Sequence, residues 1–126
     1  KKVKVYFDGL FSPVNTADKK FYTEHKKKFF KNEFVREVAS QKLSDVLIQK
    51  KTPKRINFIN IDVEGMDYKV LEQINLQKYK VSLVAIETHH VNGKKSKDYN
   101  KIYNFFKKYN FSLMKRLGPT SLFFKK

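Results

Sequence analysis

The chain has 126 residues, 40% of them hydrophobic, with 12 Phe and 7 Tyr. That length fits one domain with its own core and excludes a disordered tail, while the lack of an apolar run of ~18–20 residues excludes a membrane-spanning helix. The net charge is +16, Cys is absent, and only three of the 28 basic residues are Arg, which excludes disulfide and thiolate-zinc frameworks and argues against bidentate phosphate or guanine readout as the main use of the charge.

The lysines are spread along the chain apart from Lys26–Lys28 and a few pairs, so a solvated basic surface is expected, and nucleic acid is not the expected partner. No signal peptide is visible and cytoplasmic localisation is expected. The first residue is not Met, which is consistent with a fragment or a processed product.

In chain order, Val3–Phe7 alternates and predicts a short strand. Leu10–Thr16, with Ser12, Pro13 and Asn15, predicts a loop. Ala17–Phe30 places Phe21, His25 and Phe29 at four-residue spacing and predicts a helix with His25 on its surface. Phe34–Ala39 predicts a strand, and Lys42–Gln49 a short amphipathic helix with Ser40 as its N-cap. Thr52–Pro53 breaks the chain. Ile56–Val63 is apolar at 56, 58, 59, 61 and 63, the pattern of a parallel strand covered on both faces. Met66–Tyr79 predicts a helix whose first turn Asp67 favours. Val81–Ile86 predicts a strand, and Asp98–Tyr109 a helix with Tyr99, Ile102, Tyr103 and Phe106 on its core face. Phe111–Lys115 and Ser121–Phe124 predict two strands, antiparallel because the loop between them is short.

The order β–α–β–α–β–β predicts an α/β fold with a mostly parallel sheet, helices on both faces and a C-terminal antiparallel hairpin. In open α/β sheets ligands bind beyond the carboxyl ends of the strands. Two predicted strands end in polar clusters, Asp62-Val63-Glu64-Gly65 and Glu87-Thr88-His89-His90. If those strands are parallel neighbours, Asp62, Glu64, Glu87, His89 and His90 share one crevice. Two carboxylates two residues apart repel, and a helix cap does not need both. Gly65 suits a turn that requires positive φ.

The segment Ile56–Gly65 (INFINIDVEG), followed by Met66–Leu71 (MDYKVL), resembles the signature of the FkbM methyltransferase family: an apolar strand, Asp-Val-Glu-Gly, a variable residue, an acidic residue, then a helix carrying Val-Leu. Val84–Glu87 resembles the family's next strand, Val38–Asp45 the segment before the signature, and Phe11–Thr16 more loosely a Ser/Thr-containing loop. The resemblance covers roughly residues 10–126 and implies a Rossmann-like class I methyltransferase fold. It implies methyl transfer from S-adenosylmethionine to a hydroxyl of a sugar or similar small metabolite. In that reading Asp62 lines the cofactor site, Ser40 and Gln41 contact the adenine, and Glu64, Glu87 and His89 face the acceptor. The catalytic group is drawn from Asp62, Glu64, His89 and His90, with a histidine as base because its ordinary pKa is near 6.5. Gly9, Gly65, Gly93 and Gly118 form no Gly-x-Gly turn. The expectation is therefore a single domain over 1–126 that is the C-terminal portion of such an enzyme, inactive alone.

Two other readings predict different structures. A metal-dependent nuclease would use Asp62 and Glu64, with Glu87 and His90 as further ligands, and would continue from Gly65 into a strand. A basic nucleic-acid-binding module would cluster lysines with exposed aromatics such as Tyr22, Phe29, Phe30, Tyr103 and Tyr109 on one face.

Overall fold

The structure is a computed structural model that describes residues 2–8, 15–29 and 34–126. These fall into two compact units, Lys1–Lys42 with Val63–Met66, and Leu43–Asp62 with Asp67–Lys126. The loop expected at Leu10–Thr16 lies outside the described residues as far as position 14.

In the first unit, β1 (Lys2–Phe7) pairs antiparallel with β2 (Phe34–Ala39), from Lys2↔Ala39 to Phe7↔Phe34. Between them runs α1 (Lys19–Phe29). Asp18 caps this helix: its Oδ1 accepts the N–H groups of Lys20 at 2.8 Å and Phe21 at 3.2 Å, which satisfies donors that a helix start leaves open. Tyr6, buried on β1, stacks on Tyr22 at 4.3 Å. His25 is half-buried rather than on the helix surface; its Nδ1 bonds Phe21 O at 2.9 Å and its ring stacks on Phe21. A turn at 63–66 also belongs to this unit. Glu64 has φ 47° and Gly65 φ 91°. The Glu64 carbonyl accepts the Thr16 hydroxyl at 2.8 Å. A Cβ at position 65 would lie 3.3 Å from Phe21 Cβ, so both backbone angle and space select glycine there.

The second unit contains α2 (Leu43–Gln49), β3 (Phe58–Ile61), α3 (Asp67–Leu71), β4 (Leu83–Glu87), α4 (Tyr99–Lys108), β5 (Phe111–Leu117) and β6 (Thr120–Lys125). Its sheet has the order β3-β4-β6-β5. Among hydrogen-bonded neighbours only the β3–β4 pair is parallel; β6 runs antiparallel to both β4 and β5, so β3, β4 and β5 share one direction and β6 opposes them. The sheet expected to be mostly parallel holds one parallel and two antiparallel pairings, because β6 inserts between β4 and β5. The α/β class and the antiparallel hairpin stand.

Burial follows this order. β4 is covered on both faces, with Val84, Ala85 and Ile86 buried. β3, which among the described residues pairs on one side only, buries Ile61 and leaves Phe58 53% exposed. The doubly buried strand expected at 56–63 is therefore the next one along. The core joins Leu71, Ile74, Leu76 and Tyr79 to β4, to Ile102 and Phe106 of α4 and to Phe123 of β6. Phe106 and Phe123 stack at 4.1 Å. At the far edge, β5 carries an irregularity between Leu113 and Lys115, with Lys115 and Arg116 exposed. Bulges and charges of this kind blunt an edge against further pairing.

One helix expectation changes. The helix predicted over 66–79 stops at Leu71. Gln73 N–H and Ile74 N–H turn back to the third residue before them, and Asn75 Oδ1 takes the N–H of Lys78 at 2.9 Å; side chains of this type compete with the helical ladder. The helix α2 begins at Leu43. The Leu43 N–H is bound by Gln73 Oε1 at 2.8 Å, while Gln73 Nε2 donates to Lys69 O.

Phe123→Ala is expected to lower the unfolding free energy of the second unit by about 4 kcal/mol, since it removes a fully enclosed ring. Leu113→Ala, at a site 45% exposed, is expected to cost under ~0.5 kcal/mol. Urea denaturation of the two variants measures both.

Candidate functional site

The parallel register runs Phe58↔Leu83 to Ile61↔Ile86. One step further sets Asp62 beside Glu87 at the carboxyl ends of the two strands. Asp67, the first residue of α3, joins them, and one carboxylate oxygen from each of the three lies within 4.8 Å of the others. Asp67 is buried, Glu87 half-buried and Asp62 exposed. Three carboxylates at this separation repel in their ionised forms, so the cluster suits a positively charged group. Its oxygens are the ligand type and spacing that a hard divalent cation accepts.

A second polar group lies just past the end of β4. Thr88, His89 and Ser121 are all buried. The Thr88 hydroxyl lies 2.8 Å from His89 Nδ1 and 2.6 Å from Ser121 Oγ. Ser121 sits opposite Ile86 in the β4–β6 ladder, so its side chain falls diagonal to Thr88 on the same face. Tyr103 packs nearby, its ring 4.3 Å from that of Tyr99 and 5.0 Å from that of Phe123. The backbone is pinned as well: Pro119 O accepts both Thr88 N–H and His89 N–H, at 3.0 and 3.1 Å, and Thr88 O accepts Ser96 N–H at 2.9 Å. The His89 ring packs edge-on against Tyr99 at 5.2 Å, over which Lys95 Nζ lies at 4.2 Å. Ser96 Oγ is the buried side-chain polar atom without a hydrogen bond among the described residues.

Burial lowers the pKa of His89 below its ordinary value, and the nearby charges of Arg116, Lys95 and His90 lower it further. Burial and the hydrogen bond to Tyr99 raise that of Tyr103. His89 is therefore neutral at pH 7. Its Nδ1 is engaged by Thr88, so any exchange with a ligand runs through Nε2.

Of the residues expected at the site, Asp62 and Glu87 are brought side by side, and His89 follows Glu87 on the same strand end. His90 is exposed in a turn in which its N–H binds Lys94 O and its carbonyl accepts Gly93 N–H. Glu64, Ser40 and Gln41 belong to the first unit. Sequence reasoning gave Asp67 a helix-dipole role and missed its place among the carboxylates; its signal was an acidic residue five positions after Asp62, at a helix start. Thr88 and Ser121 carried no signal, since a hydroxyl 33 residues away cannot be read as a partner. The residues after Gly65 form a helix, not the strand that a nuclease built on Asp62 and Glu64 requires.

The family described as Methyltransferase FkbM domain matches residues 2–113. No curated protein and no solved structure matches the chain significantly. Among the described residues no helix is long and apolar enough to cross a membrane.

The lowered His89 pKa has a defined sign in stability. The folded state resists protonating His89, so its contribution is complete above the unfolded value near 6.5 and is lost as pH falls from there toward the folded value. The thermal midpoint of the wild type is expected to fall more between pH 7 and pH 5 than that of His89→Gln, as read by circular dichroism melts. Parallel pH profiles would remove the assignment.

Proposed function

The chain belongs to the FkbM methyltransferase family, and from that premise we propose that it serves S-adenosylmethionine-dependent methyl transfer to a hydroxyl oxygen of a sugar or similar small metabolite. The reaction is placed at the carboxyl ends of β3 and β4. The observation that carries the placement is the register that sets Asp62 beside Glu87, with Asp67 in the same cluster and a histidine held by Thr88 two residues on.

The chemistry of this donor set fits the cofactor's cationic portion: clustered carboxylate oxygens accept ammonium and hydroxyl hydrogens and offset a positive charge. When bound, S-adenosylmethionine supplies an electrophilic methyl group on a positively charged sulfur. The chain's own residues do the rest. Asp62, exposed at the end of β3, binds cofactor hydroxyl or ammonium groups. Glu87, half-buried, orients the acceptor and holds it in line. His89 takes the acceptor's hydroxyl proton at Nε2 as that oxygen becomes a nucleophile. Three features suit it to this role better than His90. It is neutral at pH 7; its ring orientation is held by Thr88 and Tyr99; and Thr88 has acceptor capacity for Nδ1–H. Ser40, Gln41 and Glu64 have no part in the steps derived from the second unit.

The same carboxylates support a second, narrower reading, in which a divalent cation sits among Asp62, Asp67 and Glu87 and organises the acceptor. Magnesium titration separates the two by whether it competes with the cofactor.

Titration of the isotopically labelled chain with S-adenosylmethionine, followed by NMR, is expected to shift the amide resonances of Asp62 and Glu87. Asp62→Asn is expected to weaken the interaction about tenfold, the usual cost of a lost charge-assisted hydrogen bond. His89→Gln should leave the affinity within about twofold, because the base acts on the acceptor. A titration that moves neither resonance at millimolar cofactor overturns the placement.

A further inference from the structure

The sheet of the second unit has another end, and it carries a cavity of about 740 Å³. The connectivity locates it. Lys54 and Arg55 precede β3, Lys80 precedes β4, Phe111 opens β5, and Lys125 closes β6 opposite Phe111. All of them line the cavity, with Tyr109. It therefore lies at the amino ends of the parallel strands, opposite the carboxylate cluster, in the size range of small-molecule sites.

Its electrostatics are one-sided. Four of the ten residues lining it are cationic and none is acidic. Among the described residues Lys54, Arg55 and Lys80 make no ion pair or side-chain hydrogen bond, whereas Lys101 is paired with Asp98 at 2.9 Å. Asp62, Asp67 and Glu87 sit at the other end of the sheet, and from Tyr99 to Lys126 the sequence has no acidic residue. Unneutralised cations in a concave site raise the local concentration of anions.

The cavity is also shaped beforehand. Lys80 is held at φ 40°, with its N–H on Gln77 O at 3.3 Å, a conformation that costs a non-glycine residue energy and recurs at ligand sites. Lys125 Nζ donates to the Tyr109 carbonyl and lies 5.5 Å from the centre of the Phe111 ring. Phe111 is buried and Tyr109 half-buried, so two aromatic rings line the cavity together with its exposed cations. Arg55 adds the one planar fork suited to bidentate contact with a phosphate.

We propose that this cavity binds a small organic diphosphate, its anionic oxygens on Lys54, Arg55, Lys80 and Lys125 and its ring portion against Tyr109 and Phe111. The site is separate from the methyl-transfer crevice and does not depend on it. A diphosphate, rather than a single carboxylate, matches four cations brought from three separate segments. A small ligand, rather than a nucleic-acid strand, matches a bounded cavity with only two aromatic surfaces.

Calorimetric titration with inorganic pyrophosphate at 0.15 M salt is expected to show saturable one-to-one binding, with uridine diphosphate tighter through its ring. Lys54→Ala with Arg55→Ala is expected to weaken pyrophosphate binding at least about tenfold, and Lys80→Gln to weaken it without loss of the fold. Lys69→Ala with Lys115→Ala, an equal loss of charge outside the cavity, is expected to leave it within about twofold at this ionic strength. Equal weakening by the two pairs would trace binding to net charge and overturn the site. So would absence of saturation by pyrophosphate together with steeply salt-dependent binding of single-stranded RNA, which would make this face a nucleic-acid surface.

Discussion

The parallel register of β3 against β4 is the constraint on which the second unit depends. It can hold only because β4 is buried on both faces: Val84 and Ile86 are sealed from solvent, and a shift of one residue would turn them to the opposite face. With Ile61 locked against Ile86, Asp62 has no choice of neighbour. It falls beside Glu87, and the short turn into α3 brings Asp67 to the same place. One carboxylate oxygen from each of the three lies within 4.8 Å of the others, which concentrates negative charge at the strand ends.

The antiparallel hairpin completes the same logic. By lying between β4 and β5, β6 puts Ser121 diagonal to Thr88 and Pro119 O within reach of two successive amides. The strand thus contributes apolar packing through Phe123 and polar positioning through Ser121, on residues two apart that share a face. The outcome is a buried histidine whose ring angle is set by a hydroxyl chain. Its neutral state follows from that burial and from the positive charges of Arg116 and Lys95. A unit with this distribution has unlike ends: acidic groups and a neutral base past the carboxyl ends of the strands, unneutralised lysines and an arginine past the amino ends.

Much of this was legible in the residues. The strand at Phe34–Ala39 is read correctly although every residue of it is exposed, and the helix of α4 is read from the stripe Tyr99, Ile102, Tyr103 and Phe106, because that pattern reports one apolar face at a helical period. The short Leu-Gly-Pro-Thr connection announces the final hairpin. The sequence from Ile56 to Gly65 announces the family. The helix α3 stops at Leu71, where the apolar spacing of Val70, Leu71 and Ile74 would have continued it. Gln73, thirty residues from Leu43, takes the first N–H of α2.

By itself, then, the sequence determined the α/β class, the family, and the strand ends where charge collects, with Asp62, Glu87 and His89 at them, because periodicity and short motifs depend on neighbours along the chain. Tertiary structure alone decided which strands are adjacent, and so everything that adjacency creates: β6 rather than β5 beside β4, burial of β4 rather than β3, Asp67 among the carboxylates, Thr88 and Ser121 behind His89, and the gathering of Lys54, Arg55, Lys80 and Lys125 around one cavity. Strand order is chosen by how the apolar faces of the whole unit pack, a sum over residues far apart in sequence, and no local pattern encodes that sum.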